Sequence, residues 1–158
     1  MRTTSLSMCR HLMAIAASAF LLAVLSPGAA IAADILITVA EASLPDSPDI
    51  PVATRSGSFG PEIELVAPGS EANLKSPLPL QVKFISRGAA IDQNSFRLYY
   101  LKLPVVDLTD RVKPHLTSTG VSMPQAEVPP GTHVLRFHLR DMQGRMTTKY
   151  IKFTVAAR

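Results

Sequence analysis

The sequence predicts an all-β fold, an antiparallel β-sandwich of about seven strands with one short helix. Apolar and polar residues alternate with a period of two in several short stretches, as they do in strands that are wetted on one side. Proline, glycine and aspartate separate these stretches at the intervals typical of sandwiches. The last two stretches form a long hairpin, and a hairpin needs a second layer to be stable in water.

Residues 1–33 are predicted to be a secretory signal peptide. Arg2 and Arg10 provide the positive start of such a leader, and the apolar run from Leu12 to Leu25 is too short to be a good membrane span. Small residues follow a break in this run, and they predict cleavage after Ala33. We therefore expect a periplasmic or secreted protein that has no membrane span after cleavage.

The rest of the chain has a composition that excludes several kinds of chemistry. Cys9 is the only cysteine and lies in the leader, so the mature chain has no thiol for a disulfide or a metal. Two of the 16 basic residues also lie in the leader, which leaves a net charge of about +2 and argues against a nucleic-acid partner. About 125 residues remain, which suits one domain that we expect to be a monomer.

Residues 34–60 are predicted to be an extended N-terminal segment or linker. Alternating apolar residues make Asp34–Ala42 a candidate short strand. From Leu44 to Pro61, proline, glycine, serine and aspartate are frequent, as they are in linkers. The pattern leaves open whether Asp34–Ala42 docks on the domain that follows.

The sandwich domain is predicted to cover residues 61–158. Its first strand is Glu62–Val66, and its second strand runs from Pro77 to Ile85. A turn is predicted at Ile91–Ser95, and the third strand then covers Phe96–Leu103. In each strand the alternate apolar side chains are expected to point into the sandwich.

A short helix and a further strand lead to the hairpin. Asp107 is a candidate N-cap, and the acid three residues later resembles a capping box. One or two helical turns are predicted, extending as far as Leu116, with Gly120 as a stop signal. Val121–Val128 is then predicted to form a short strand.

The hairpin covers Pro129 to Val155. Gly131 and the prolines before it give a turn signal, and Asp141 and Gly144 fit the first and last positions of a type I turn. Strand periodicity divides the side chains between an apolar face and a polar face. The predicted inner face carries Leu135, Phe137, Leu139, Ile151, Phe153 and Val155.

Several motifs in this domain resemble those of a known family. They are Pro68-Gly69 with Ser76-Pro77-Leu78, Ile91-Asp92 with Ser95-Phe96-Arg97, Pro130-Gly131-Thr132-His133, and Asp141 with Gly144-Arg145. In these motifs the chain resembles secreted bacterial immunoglobulin-like domains of the fibronectin III and Big-like kind. The resemblance implies an immunoglobulin-like sandwich and a role in adhesion, polysaccharide binding, scaffolding or enzyme support. The disulfide and core tryptophan of antibody domains are absent from the sequence.

The histidines do not predict a metal site. His133 and His138 are five residues apart on one strand, so they face opposite sides and cannot share a metal ion directly. The histidines are instead expected to be surface or strand-end residues. The small periplasmic copper-binding sandwiches, which are similar in size, use an N-terminal histidine after cleavage. Here Asp34 would be the first residue, and the sequence therefore argues against that kind of copper site.

The acidic residues and the known catalytic motifs give no stronger signal. Asp107, Asp110 and Asp141 are better explained by helix capping and turn formation than by calcium binding. The sequence contains no GxSxG elbow, HExxH motif or phosphate-binding loop. We therefore expect no enzymatic activity and no cofactor.

One surface is a candidate for function. If the third strand and the hairpin share a sheet, their outer sides bring together Arg97, Tyr99, Arg136, His138, Arg140, Tyr150 and Lys152, which we call the basic–aromatic face. Such a face can bind an anionic glycan or a partner protein of the cell envelope. Outward strand positions are also commonly charged because charge blunts aggregation, which is the competing explanation.

The functional prediction is a non-catalytic binding or accessory module of the cell envelope. The alternative is a periplasmic carrier of a small ligand or of a metal ion, copper or calcium.

Overall fold

A computed structural model describes residues 33–48, 60–69 and 74–157 of the chain. Residues 1–32 of the predicted signal peptide and residues 49–59 of the predicted linker lie outside the described ranges. The strands are β1 (Asp34–Ile35), β2 (Glu62–Ala67), β3 (Leu78–Ile85), β4 (Ile91–Tyr100), β5 (Val106–Asp107), β6 (Leu116–Thr117), β7 (Gly120–Glu127), β8 (Gly131–Asp141) and β9 (Met146–Val155). The helices are α1 (Val39–Ala42) and α2 (Thr109–Val112), and a 3₁₀ turn at Lys113–His115 follows α2. The all-β prediction is confirmed.

The strands form two sheets. The first sheet has the order β1-β7-β3-β2, with β6 also paired to β7, and the second has the order β5-β4-β8-β9. The pairing of β1 with β7 is parallel, and every other pairing between these strands is antiparallel. The third predicted strand and the hairpin therefore share a sheet, which is the condition for the basic–aromatic face.

The core lies between the inner faces of the two sheets. Phe96 of β4 contacts Phe84 of β3 and Phe137 of β8, with ring centroids 5.6 and 6.3 Å apart, so aromatic contacts connect the sheets. Every apolar side chain predicted for the inner face of the hairpin is buried. The alternating pattern of β3 is confirmed in the same way, with Leu80, Val82 and Phe84 inside.

The hairpin turn follows the chemistry that its sequence indicates. The backbone N–H of Gly144 donates to the carbonyl of Asp141, at 2.9 Å, and Gly144 has a φ of 78° that favours glycine. The Asp141 carboxylate accepts from the backbone N–H groups of Gln143 and Arg145 and from the Arg145 guanidinium. Burial raises the pKa of Asp141, but these hydrogen bonds outweigh burial and hold the pKa below its ordinary value.

Asp34–Ala42 docks on the sandwich, which answers the question that the sequence left open. Leu36 and Ile37 are 0% and 2% exposed and belong to the core. Only Asp34–Ile35 is a strand, so the prediction of one strand over Asp34–Ala42 is corrected. A helix begins after Thr38 because Thr38 and Glu41 form a reciprocal capping box, which satisfies two backbone N–H groups at its start.

Two further boundaries differ from the prediction. The predicted turn at Ile91–Ser95 lies inside β4, where the pairing with β8 shifts register between Asp92 and Arg97. The strand ends at Tyr100 rather than Leu103. The predicted helix is present at Thr109–Val112, but its N-cap is Leu108, so the assignment of Asp107 as N-cap is corrected. The Asp107 carboxylate accepts from the Thr109 backbone N–H at 2.8 Å from one position earlier. Gly120 begins β7 and does not end the helix.

Candidate functional site

The basic–aromatic face covers the outer side of β4, β8 and β9. Arg97 lies opposite His138 in the ladder between β4 and β8. In the neighbouring row, Tyr99 lies opposite Arg136, and Arg136 lies opposite Tyr150 of β9. Because directly opposed residues project from the same side of a sheet, these side chains share one surface.

A depression of about 460 Å³ lies in this face. Its lining includes five of the predicted residues, namely Arg97, Tyr99, Arg136, His138 and Arg140. Tyr150 borders Arg136 from β9, whereas Lys152 lies one row further away, opposite Val134. Neither Tyr150 nor Lys152 is part of the lining, so the depression is centred on β4 and β8.

The Arg136 side chain packs on an aromatic ring. Its guanidinium carbon is 4.9 Å from the centroid of the Tyr99 ring, within the range of a cation–π interaction. The contact holds the guanidinium over β4. Its Nε atom is buried and has no hydrogen-bond partner among the residues that the structure describes.

His138 lies within the basic–aromatic face, between the row that holds Arg136 and the row that holds Arg140. Its ring meets the Tyr99 ring edge-on, with centroids 5.6 Å apart. Nδ1 is 3.5 Å from the Thr148 hydroxyl, which is a long contact, and Nε2 is buried without a partner in the described part of the chain. Burial lowers the pKa of His138, and the charges of Arg136 and Arg140 lower it further, so the surroundings favour the neutral form of the ring.

The irregular part of β4 positions Arg97. The Asp92 carboxylate accepts from the Asn94 N–H at 3.0 Å, and the Ser95 hydroxyl donates to the Asp92 carbonyl at 2.6 Å. The Arg97 guanidinium then donates to the carbonyl oxygens of Asn94 and Phe96 at 2.9 and 2.7 Å. The bulge therefore holds Arg97 at the rim of the depression.

Asp92, Asn94, Ser95 and Met146 also line the depression, and the sequence did not single them out for the site. The turn signal at Ile91–Ser95 marked three of these positions. It indicated a local change of direction, which is compatible with either a loop or a bulge.

The arginines of the structure divide into two groups of three. Arg87, Arg111 and Arg145 each form an ion pair with a carboxylate at 2.6 or 2.7 Å. Within residues 33–48, 60–69 and 74–157, no carboxylate forms such a pair with the other three, which are Arg97, Arg136 and Arg140. All three unpaired arginines line the depression, with Asp92 as the acid beside them.

The remaining histidines lie apart from this face. His133 is on the inner side of β8 and 1% exposed, with Nδ1 2.8 Å from the Tyr100 hydroxyl and Nε2 2.8 Å from the Pro129 carbonyl. The interpretation of His133 as a surface or strand-end residue is therefore wrong. His115 pairs with Asp34 at 2.9 Å. His133 and His138 face opposite sides of the sheet, as predicted.

The candidate calcium ligands have separate partners. Asp107 accepts from the start of α2, Asp110 pairs with Lys113, and Asp141 pairs with Arg145. In the described part of the chain, no group of three or more His, Cys, Asp or Glu side chains is placed to hold a metal ion. No helix in that part is both long and apolar enough to cross a membrane.

Comparisons with protein-family models, with curated proteins and with solved structures find no match for this chain. The basis for a functional assignment is therefore the chemistry of the basic–aromatic face.

Proposed function

We propose that the protein is a non-catalytic binding module of the cell envelope, exported by its leader, that binds an anionic glycan on the basic–aromatic face. The observation that carries this proposal is the clustering of Arg97, Arg136 and Arg140 around one depression with no carboxylate paired to them among the described residues. Guanidinium groups bind carboxylate and sulfate groups with two parallel hydrogen bonds, so such a cluster suits a ligand that carries several of these anions.

The two buried nitrogens without partners support the same conclusion. A buried polar group that has no hydrogen bond costs about 1–3 kcal/mol, so folded proteins keep few of them. Both of those found in the described residues, Arg136 Nε and His138 Nε2, lie on this face. A ligand anion that draws these side chains toward it would satisfy their hydrogen-bonding capacity.

The aromatic residues of the face suit the sugar part of the ligand. Tyr99 and Tyr150 flank Arg136 in one row across three strands, and both are partly exposed. Tyrosine offers an apolar ring face and a hydroxyl group, which together fit a sugar ring better than a bare ion. The depression also falls within the size range of small-ligand sites, about 300–1,000 Å³.

We also propose that the sandwich has immunoglobulin-like connectivity. The pairing of β4 with β8 and of β8 with β9 matches the sheet built from the third, sixth and seventh strands of such domains. In this correspondence β2 and β3 are the first two strands, and β7 pairs with β3 in the opposite sheet. A solved structure with a different strand order would contradict the assignment.

The test compares two double variants of the protein on a heparin column. Arg136→Gln with Arg140→Gln removes two charges from the face. Lys83→Gln with Lys149→Gln removes the same charge from two exposed side chains elsewhere, since Lys83 is in the other sheet and Lys149 is opposite the buried Phe137. We expect the arginine variant to lose about tenfold or more in affinity, because a charge-assisted hydrogen bond contributes about 1.5–3 kcal/mol.

The lysine variant is the matched control and should elute at nearly the salt concentration of the wild type. Equal losses in the two variants would mean that retention reflects net charge alone. Unchanged retention of the arginine variant would also overturn the proposal.

A further inference from the structure

We propose that anion binding on the basic–aromatic face is coupled to the uptake of one proton by His138. This inference rests on the proposed function and adds the regulation of the same site by pH. It depends on where the imidazole lies relative to the three unpaired arginines.

His138 occupies the centre of the arginine cluster. Arg97 is directly opposite on β4, and Arg136 and Arg140 lie two positions away on either side along β8. Alternate residues of a strand are about 7 Å apart and project from the same side. An anion held by both Arg136 and Arg140 would therefore span the position of His138 between them.

Uncharged groups also surround the ring. The Tyr99 ring of β4 is perpendicular to the imidazole, with centroids 5.6 Å apart, and the Thr148 hydroxyl of β9 is 3.5 Å from Nδ1. Tyr150 of β9 lies in the neighbouring row. Nε2 has no partner among the described residues, so it has the capacity for a further hydrogen bond.

Three acids lie near the arginine cluster but outside the row of the sheet that holds His138. Asp92 of β4 lines the depression but lies in the row of Arg140. Asp107 of β5 lies opposite Tyr99 and accepts from the N–H of Thr109. Asp110 of α2 pairs with Lys113. The Asp110 charge also acts on Arg97, whereas the charges that act on His138 are those of Arg136 and Arg140, so positive charge predominates around the ring.

The sign of the coupling follows from these charges. Without a ligand, burial and then the charges of Arg136 and Arg140 hold the pKa of His138 below its ordinary value of 6.5. A bound anion offsets the repulsion from the arginines and accepts a hydrogen bond from the protonated ring, so it raises this pKa. Because binding raises the pKa of His138, the ligand favours proton uptake by the ring. By linkage, protonation of the ring favours ligand binding to the same extent.

The affinity should therefore depend on pH in a defined way. It is constant above the pKa of the complex, rises as the pH falls through that pKa, and levels off below the pKa of the free protein. Each unit by which the ligand raises the pKa gives about a tenfold rise in affinity.

Titration calorimetry of the full-length protein with a sulfated heparin tetrasaccharide tests the coupling. Sulfate esters stay ionised from pH 5 to 8, so protons taken up on binding belong to the protein. Measurements in two buffers with different ionisation enthalpies give their number. We expect the uptake to be greatest at a pH between the pKa of the free protein and that of the complex, and to approach one proton there as these two pKa values move apart. It should fall to zero well above the pKa of the complex.

The variant His138→Gln should bind the tetrasaccharide and lose this proton uptake. His115→Gln is the matched control, because His115 is the other partly exposed histidine of the described chain and pairs with Asp34 at 2.9 Å. It should keep the uptake of the wild type. If His138→Gln does not fold, the ¹H–¹⁵N NMR signals of the imidazole in the wild type should show a higher pKa with the ligand than without it.

The outcomes separate the two proposals. Absence of binding at every pH would overturn the proposed function and the coupling together. Binding without proton uptake, an unchanged His138 pKa, or uptake that persists in His138→Gln would overturn the coupling alone.

Discussion

The Arg111 guanidinium connects the N-terminal segment to the sandwich. It donates to both carboxylate oxygens of Glu41, at 2.7 and 2.8 Å, and to the Leu36 carbonyl at 2.9 Å. These hydrogen bonds from Arg111 lower the pKa of Glu41 to about 2, and burial only partly opposes the effect. The carboxylate also accepts from the Thr38 N–H, so one charged group caps α1 and anchors it.

Replacement of Glu41 by glutamine should lower the free energy of unfolding by about 2 kcal/mol at pH 7, because a charge-assisted hydrogen-bond pair is lost. The pKa of Glu41 is depressed in the folded state, so its contribution is complete above pH 4.5 and disappears as the pH falls toward about 2. Urea unfolding of Glu41→Gln and wild type over this range should show curves that converge at low pH.

The control for Glu41 is Asp110→Asn. Asp110 pairs with Lys113 at the surface, and its side chain is 90% exposed, so this change should not measurably alter stability. An equal effect of the two substitutions, or a Glu41 effect that is constant with pH, would contradict the role assigned to the Arg111 pair.

For His133, the alternating pattern predicts the side of the sheet but not the hydrogen-bond partners of the ring. Residues 133, 135 and 137 have the same parity, so periodicity places His133 inside with Leu135 and Phe137. The sequence does not reveal its partners, because Tyr100 is more than thirty positions away and Pro129 accepts through its backbone. Since the Pro129 carbonyl can only accept, Nε2 carries the proton and Nδ1 accepts from the Tyr100 hydroxyl.

The N-terminal segment is the element whose structure its sequence pattern predicts least well. Leu36 and Ile37 are neighbours and are both buried, so they follow neither the helical nor the strand period. The chain passes there from a two-residue strand into a helix of one turn, and each is too short to give a pattern. Burial of these side chains depends on distant residues, which no local signal records.

Replacement of Leu36 by alanine should destabilise the protein by about 2–5 kcal/mol, the usual cost of deleting a buried leucine side chain. Val39 is three positions further along and 76% exposed, so Val39→Ala should change stability by less than about 0.5 kcal/mol. Thermal or urea unfolding of the two variants measures the difference. Similar small effects would mean that the segment is not part of the cooperative core.

The bulge in β4 is a second element that the sequence described only in part. Asp92 and Ser95 make the local hydrogen bonds that their turn signal indicates. The strand nevertheless continues through this region, because Asp92 pairs with Arg140 on β8. Turn chemistry is local, whereas the ladder that keeps these residues in the sheet joins positions far apart in the sequence.

For the whole molecule, periodicity predicted the layers and the shared face, but not the shape or charge balance of that face. The alternation of β4, β8 and β9 predicted that the seven residues of the basic–aromatic face lie on one side if these strands share a sheet, and the strand pairing meets that condition. Two features of the face are visible only in the three-dimensional structure. The depression lies over β4 and β8, and its three arginines have no paired carboxylate in the described chain. Both depend on side-chain positions that the strand period does not specify.

We propose that an anionic glycan binds in the depression around Arg97, Arg136 and Arg140. An NMR titration of the ¹⁵N-labelled protein with the heparin tetrasaccharide tests this claim most directly, because it shows where binding occurs. We predict saturable amide shifts concentrated at residues 92–99 and 136–140, with small changes around Lys83 in the other sheet. Shifts that do not saturate, or that centre on the other sheet, would contradict the claim.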